Sequence, residues 1–95
     1  LKIFSSNKAQ KTKVEIYSKP DCHLCEEAKI VLQQAQRKFD FQLLEINILE
    51  APEVYDEYKE KIPVVFIDGR KAFKYRIDYE SLIKKLKGTS KFDFR

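Results

Sequence analysis

No apolar run in this chain approaches the ~18 residues that a membrane-spanning helix requires, and no segment has the charged-then-apolar layout of a secretory signal. The sequence is therefore expected to be that of a soluble, unanchored protein with no membrane partner. Cysteine is scarce as well. Two cysteines in 95 residues cannot make the multi-bridge framework of a small secreted scaffold, and a bridge between positions so close together constrains the unfolded chain very little. A reactive pair in a reducing compartment, cytoplasmic or mitochondrial, is the expectation. Methionine is absent and the chain opens on Leu1, so further native residues are expected upstream. Nothing repeats, and no stretch is of low complexity.

What is present describes one globular domain. The chain is 43% hydrophobic and 36% charged with two glycines and three prolines, too apolar for a disordered chain and too charged for a membrane one. Its 95 residues have room for a single core. The formal net charge of +4 favours acidic small molecules but is too diffuse for a nucleic-acid footprint, so no nucleic-acid partner is expected. Five of the 19 basic residues, Lys2, Lys8, Lys11, Lys91 and Arg95, fall near the ends. Residues 1–12 are expected to be a flexible basic tail, 13–88 the folded domain and 89–95 a second tail. The four lysines, two serines and no acids of residues 1–13 loosely suit the trailing end of a mitochondrial presequence, although a solvated basic tail is the simpler reading.

Residues 13–18 alternate polar and apolar and are rich in strand formers, which predicts a β-strand ended by Lys19-Pro20-Asp21. From Leu24 the apolar positions Ala28, Val31, Leu32, Ala35 and Phe39 keep one face of a helix inward. Residues 41–48, with Leu43, Leu44 and Ile46, read as a second strand with both faces largely buried, parallel to the first if the helix between them crosses over in the usual way. Pro52 suits the first turn of a short helix carrying Val54, Tyr55 and Tyr58. Pro63 then opens the buried strand Val64-Val65-Phe66-Ile67, and Asp68-Gly69 turns it into an antiparallel partner over residues 71–75. Asp78 is placed to cap a final helix with the stripe Tyr79, Leu82, Ile83 and Leu86, with Gly88 just beyond its end. The order is β-α-β-α-β-β-α. Strands buried on both faces call for helices on both sides, so the fold class is α/β, a three-layer α/β/α sandwich around a four-stranded mixed sheet.

Cys22-His23-Leu24-Cys25 sits between a strand and the first turn of a helix, the setting in which this spacing reads as redox-active. Unpaired N–H groups and the positive end of the dipole favour an anion there, so Cys22 is the expected nucleophile. Cys25, one turn later, is placed to resolve a mixed disulfide. Lys19 can steady the thiolate or a substrate carboxylate, and reads equally well as a solvated lysine. His23 can tune the pair or serve no role, while Glu26 and Glu27 oppose a second negative charge at Cys22. Structural zinc wants four ligands and the chain offers two cysteines and one histidine, so no metal site is expected; covalent haem fails because Glu26, not histidine, follows Cys25. A cluster shared between two chains or completed by a small thiol stays open, as does an inert buried pair.

The strand-Lys-x-x-Cys-x-x-Cys-helix pattern, followed by Ile62-Pro63-Val64-Val65-Phe66-Ile67-Asp68-Gly69, resembles the glutaredoxins of the thioredoxin superfamily. It is closer still to small glutaredoxin-like proteins whose first helix starts Cys-His-Leu-Cys-Glu-Glu-Ala. The likeness spans residues 13–88. It implies a thioredoxin-like fold with a cis peptide bond before Pro63, Cys22 as nucleophile and Cys25 as resolving thiol. It also implies a substrate groove with the Ile62 backbone and Pro63 as one wall, and Lys19 holding a carboxylate of glutathione. The pattern departs at His23-Leu24, where Pro-Tyr is usual, and at Tyr75-Arg76, where paired glycines meet the γ-glutamyl carboxylate. Bulky side chains there crowd the tripeptide, although Arg76 can supply a charge-assisted contact. Asp78 still suits the cap that follows. The function implied is reduction of protein or glutathione mixed disulfides by a monomeric dithiol enzyme serving electron transfer and redox homeostasis. It needs no bound cofactor, with glutathione as an optional co-substrate. The alternatives are a thioredoxin-fold adaptor with vestigial thiols and a glutathione-assisted iron-sulfur carrier.

Overall fold

The computed structural model describes residues 11–89. The elements are β1 (Thr12–Ser18), α1 (His23–Gln36), β2 (Phe41–Asn47), a 3-10 turn (Ile48–Glu50), α2 (Pro52–Tyr58), β3 (Val64–Ile67), β4 (Arg70–Lys74) and α3 (Tyr79–Thr89). This is the order expected from the sequence. Of the two expected tails, only Lys11, Thr12 and Thr89 belong to the described residues. Thr12 is already in β1, one residue earlier than expected.

The sheet runs β2-β1-β3-β4. β1 and β2 are parallel, paired from Thr12↔Phe41 to Ser18↔Asn47, and a parallel pair requires a crossover, which α1 provides. β3 lies antiparallel to β1, with Ile16 opposite Val65 and Val14 opposite Ile67. β4 lies antiparallel to β3 beyond a two-residue turn. In that turn Asp68 and Gly69 have φ of 50° and 83°, the left-handed pair that lets a tight hairpin follow the strand twist. The Asp68 carboxylate accepts the Lys13 N–H at 2.9 Å and the Asp68 N–H donates to the Lys13 carbonyl at 2.8 Å, tying the hairpin to the start of β1.

Because side chains alternate along a strand, Val14, Ile16, Val65 and Ile67 share one face of the sheet. They pack beneath Ala28, Leu32 and Ala35 of α1 and Leu82 and Leu86 of α3. On the other face Val64, with Tyr17 and Phe66, meets Tyr58, Val54 and Tyr55 of α2, and this second cluster takes in Ile48, Ile62 and Cys25. Helices thus cover both faces, completing the three layers. A one-residue slip of β1 would exchange the two sets, so burial fixes the register. Among the described residues no helix is long and apolar enough to cross a membrane.

Three details differ from expectation. β2 is an edge strand, and only Phe41 is fully buried while Leu43, Leu44 and Ile46 are half-buried, because no strand covers its outer side. β4 begins at Arg70 and ends at Lys74, leaving Tyr75 outside the ladder. α3 runs through Gly88 to Thr89, so Gly88 lies inside the last turn and does not stop the helix.

Candidate functional site

The C-terminal ends of β1, β2 and β4 and the N-terminal end of β3 point the same way, as the strand directions require. The segments 19–22, 48–51, 61–63 and 75–78 therefore meet at one end of the sheet, and the cysteines are there. Asp21, at φ 61°, turns the chain from β1 into α1; a short polar side chain tolerates this left-handed conformation better than most.

Cys22 is the N-cap of α1. Its backbone is extended (φ −110°, ψ 107°) and its sulfur accepts the Cys25 N–H at 3.2 Å, while its carbonyl receives the Glu26 N–H at 3.1 Å. The sulfur occupies the position a serine or aspartate oxygen usually takes, over donors that no helical carbonyl satisfies. Cys22 is half-buried and Cys25 is 0% exposed. The two are joined as a disulfide, with Cα atoms 5.2 Å apart. An approaching group reaches Cys22 and not Cys25.

Ile62 and Pro63, joined by a cis peptide bond, are both buried. Ile62 shares a packed cluster with Cys25, and Cys22 borders that cluster. The Pro63 carbonyl accepts the Tyr75 N–H at 2.8 Å, so the 75–78 segment is fastened to the same wall. Tyr75 has φ 69° and is bracketed by a three-residue turn in which the Arg76 N–H donates to the Lys74 carbonyl at 2.8 Å. This conformation favours glycine and strains a tyrosine. Tyr75 is 42% exposed, and Lys74 Nζ lies 5.5 Å from the centre of its ring.

Arg76 reaches back to α1, its Nη1 lying 3.6 Å from Glu27 Oε1. The second oxygen of Glu27 is 2.8 Å from His23 Nε2. Glu26 pairs with Lys29 at 2.9 Å, and Lys29 also meets Glu45 at 3.0 Å. Both acids expected to oppose a thiolate at Cys22 therefore face basic side chains, which reduces that opposition. Hydrogen bonds to Glu26 and then Glu45 hold the Lys29 ammonium above its ordinary range. The Lys29 contact, with help from the Ser18 hydroxyl at 3.0 Å, holds Glu45 below its own. Ser18 is 1% exposed, and this bond satisfies it.

Asp78 caps α3. Its Oδ2 accepts the Ser81 hydroxyl at 2.8 Å and the Ser81 N–H at 3.0 Å, and those bonds lower its carboxyl pKa. Lys19 is exposed on the approach to Cys22, with no carboxylate within ion-pair distance among the described residues. Of the residues singled out from sequence, Cys22, Cys25, Ile62 and Pro63 come together. Lys19 stands at the margin, Arg76 is held by Glu27 and Asp78 is committed to its helix.

Three features escaped the sequence. The edge-on aromatic group Tyr17, Tyr58 and Phe66, with Tyr17 5.1 Å from Tyr58 and 5.7 Å from Phe66, backs the second cluster; burial first, then nearby carboxylates, pushes both tyrosine hydroxyls up. Its only signal was the alternation of β1 and β3. The Glu27–Arg76 link and the left-handed Tyr75 had none. Among the described residues no group of three or more His, Cys, Asp or Glu is placed to hold a metal ion.

A four-stranded mixed sheet between helices, with a disulfide at the start of α1 and a cis-proline beside it, defines a thioredoxin-fold protein. Residues 13–87 match the family described as Glutaredoxin-like domain (DUF836), and the chain belongs to that family. A glutaredoxin-like protein of Dictyostelium discoideum is 27% identical over 82 residues, covering 80% of this chain and 76% of that protein. Among solved structures, protein Ne2328 of Nitrosomonas europaea superposes with a TM-score of 0.71 at 29% identity, over 80% of this chain and 92% of that one. Oxidised mitochondrial thioredoxin 3 of Saccharomyces cerevisiae gives 0.62 at 17% identity over 90% and 89%, a likeness of fold alone.

Proposed function

We propose that this protein is a thiol-disulfide oxidoreductase that reduces protein or glutathione mixed disulfides through Cys22 and Cys25. The observation that carries this reading is the place of the Cys22 sulfur. It caps the first turn of α1, half-buried, with Cys25 shielded behind it. In the reduced protein the Cys22 thiolate attacks one sulfur of the substrate disulfide. That S–S bond breaks, the leaving sulfur departs with the electron pair and takes up a proton, and a mixed disulfide forms at Cys22. Cys25 then loses its proton to solvent and attacks the Cys22 sulfur, releasing the second substrate thiol. The protein is left oxidised with its Cys22–Cys25 bond closed, and the substrate has gained two electrons and two protons. An external thiol or dithiol reductant restores the pair.

The wall at 75–78 bears on the reductant. Tyr75 fills the place where a glycine is expected, and Arg76 is engaged by Glu27, so glutathione meets a narrower groove than a protein dithiol needs. The same crowding supports a second reading, an adaptor whose thiols no longer turn over. Replacing each cysteine separates the two readings. With Cys22→Ser, reduction of a mixed disulfide falls to the uncatalysed background. With Cys25→Ser, a single attack persists and the mixed disulfide accumulates. Turnover that is absent from the native protein supports the adaptor, and turnover unaffected by Cys22→Ser places the chemistry elsewhere.

A further inference from the structure

Among the basic side chains near the cysteine end of the sheet, Lys19, His23, Lys74 and Arg76, only the guanidinium can take a carboxylate by two parallel N–H bonds. That guanidinium is already engaged. Arg76 Nη1 lies 3.6 Å from Glu27 Oε1, and no other carboxylate is within ion-pair distance of it among the described residues. The second Glu27 oxygen is 2.8 Å from His23 Nε2, and His23 directly follows Cys22 in the chain. Arg76 in turn follows Tyr75, whose N–H donates to the Pro63 carbonyl at 2.8 Å. The Glu27–Arg76 pair thus links the residue beside the accessible Cys22 to the cis-proline wall.

The pair adds little to the fold. The Glu27 side chain is 48% exposed and that of Arg76 74%, so water screens their attraction. The 75–78 segment is fixed without it, by the Tyr75–Pro63 bond and the Asp78 cap. Beside the pair is a cavity of about 120 Å³ whose lining includes Leu24, which stands between the two cysteines, with Glu27, Tyr75 and Arg76. Pockets for whole small molecules run ~300–1,000 Å³, so this one admits a single functional group. Its one basic side chain is Arg76 and its one acid is Glu27.

We infer that Glu27 sets substrate specificity by charge: its carboxylate holds the position at Arg76 that a substrate carboxylate would take, so the protein favours disulfides with no carboxylate close to the sulfurs. An anionic disulfide reaches Arg76 only by displacing Glu27, whereas a neutral one loses nothing. Because the pair is exposed, the discrimination is modest, about two- to fivefold, and it fades as salt screens both contacts. Lys19 and Lys74 attract any anion but, as point charges, do not fix the orientation of its carboxylate. This inference rests on the oxidoreductase reading and leaves the bond and electron changes of that reading as they are.

The test compares two small disulfides of similar length, neutral bis(hydroxyethyl) disulfide and dianionic bis(carboxyethyl) disulfide. Each is mixed in excess with pre-reduced protein, and single-turnover oxidation of the cysteine pair is followed. The readout is the ratio of the anionic to the neutral second-order rate constant, in which any change at Cys22 itself cancels. Glu27→Gln is expected to raise that ratio about two- to fivefold, by lowering the half-saturating concentration of the dianion with little change in its limiting rate. In the Arg76→Gln protein the same Glu27 substitution raises the ratio clearly less, because the two side chains are coupled. An unchanged ratio, or an equal gain with and without Arg76, overturns the inference. A second arm needs no turnover. Suberate, the dicarboxylate with methylenes in place of the two sulfurs, is titrated into the oxidised protein and the Arg76 side-chain NMR signals are followed; it should shift them more strongly in Glu27→Gln than in the native protein. Failure of both disulfides to react, with the suberate difference present, removes the oxidoreductase reading and leaves the competition for Arg76 standing. Reaction of both without the coupled gain removes the competition alone.

Discussion

The two faces of the sheet carry different burdens. The larger cluster, under α1 and α3, buries only hydrocarbon side chains: Val14, Ile16, Ala28, Leu32, Ala35, Phe41, Val65, Ile67, Leu82 and Leu86. The smaller one, under α2, includes a sulfur and a phenol, Cys25 and Tyr58, and is bordered by Cys22, Tyr17 and Tyr55. Most of the buried hydrocarbon lies away from the cysteines, and the Cys22–Cys25 pair is mounted at the rim of the other cluster, where one sulfur is covered and its partner is accessible. Such a division lets the site vary in its walls without loss of the fold.

Four substitutions test that division, beginning with the largest effect. Cys22→Ser should abolish disulfide reduction while leaving the circular dichroism and unfolding curve of a folded protein; retained turnover would place the chemistry elsewhere. Leu32→Ala, in the larger cluster at 0% exposure, should cost ~2–5 kcal/mol in denaturant unfolding, with turnover per folded molecule unchanged. A parallel loss of rate would show that the two faces are coupled.

Tyr75→Gly sharpens the comparison at the wall. It relieves a left-handed tyrosine, a gain of ~1–2 kcal/mol offset by ~0.5–1 kcal/mol of added freedom in the unfolded chain. Stability should rise by up to ~1.5 kcal/mol, and reduction of glutathione mixed disulfides should accelerate as the groove widens. A drop in stability would mean that the ring packs better than its backbone suffers.

The smallest effect is electrostatic. The Glu45 carboxyl is held below its ordinary 4.5 chiefly by the Lys29 hydrogen bond, so its contribution is complete above 4.5 and is lost as pH falls through the lowered native value. Lys29 is held above its ordinary 10.5, so its contribution is complete below 10.5 and is lost as pH rises through the raised native value. Glu45→Gln should cost ~1 kcal/mol or less near neutrality, remove its share of the acid limb of a urea-unfolding series against pH and only partly reduce the alkaline one, because Glu26 still holds Lys29. An unchanged acid limb would show that the bond is not formed in solution.

Much of this was legible from residue pattern alone. Period-two alternation placed β1, Asp68-Gly69 placed the hairpin, and Asp78 placed the start of α3, because each is decided by local chemistry. Cys22 and Cys25 were legible through their position after a strand and at a helix start. What stayed hidden depends on contacts between distant segments. The edge position of β2 follows from sheet order, which a string of apolar residues does not encode. The Arg76–Glu27 link joins residues 49 positions apart in sequence, and Tyr75 is left-handed where the Pro63 carbonyl accepts its own N–H and the Lys74 carbonyl accepts the Arg76 N–H. Glu26 and Glu27 read as obstacles to a thiolate until Lys29, His23 and Arg76 were found facing them.

The most direct test is the ionisation of Cys22 in the reduced protein, followed by thiolate ultraviolet absorbance against pH with Cys25→Ser as the reference. If the start of α1 holds that sulfur as an anion, the transition falls clearly below the ~8.5 of a free thiol. A transition at or above that value would contradict the account.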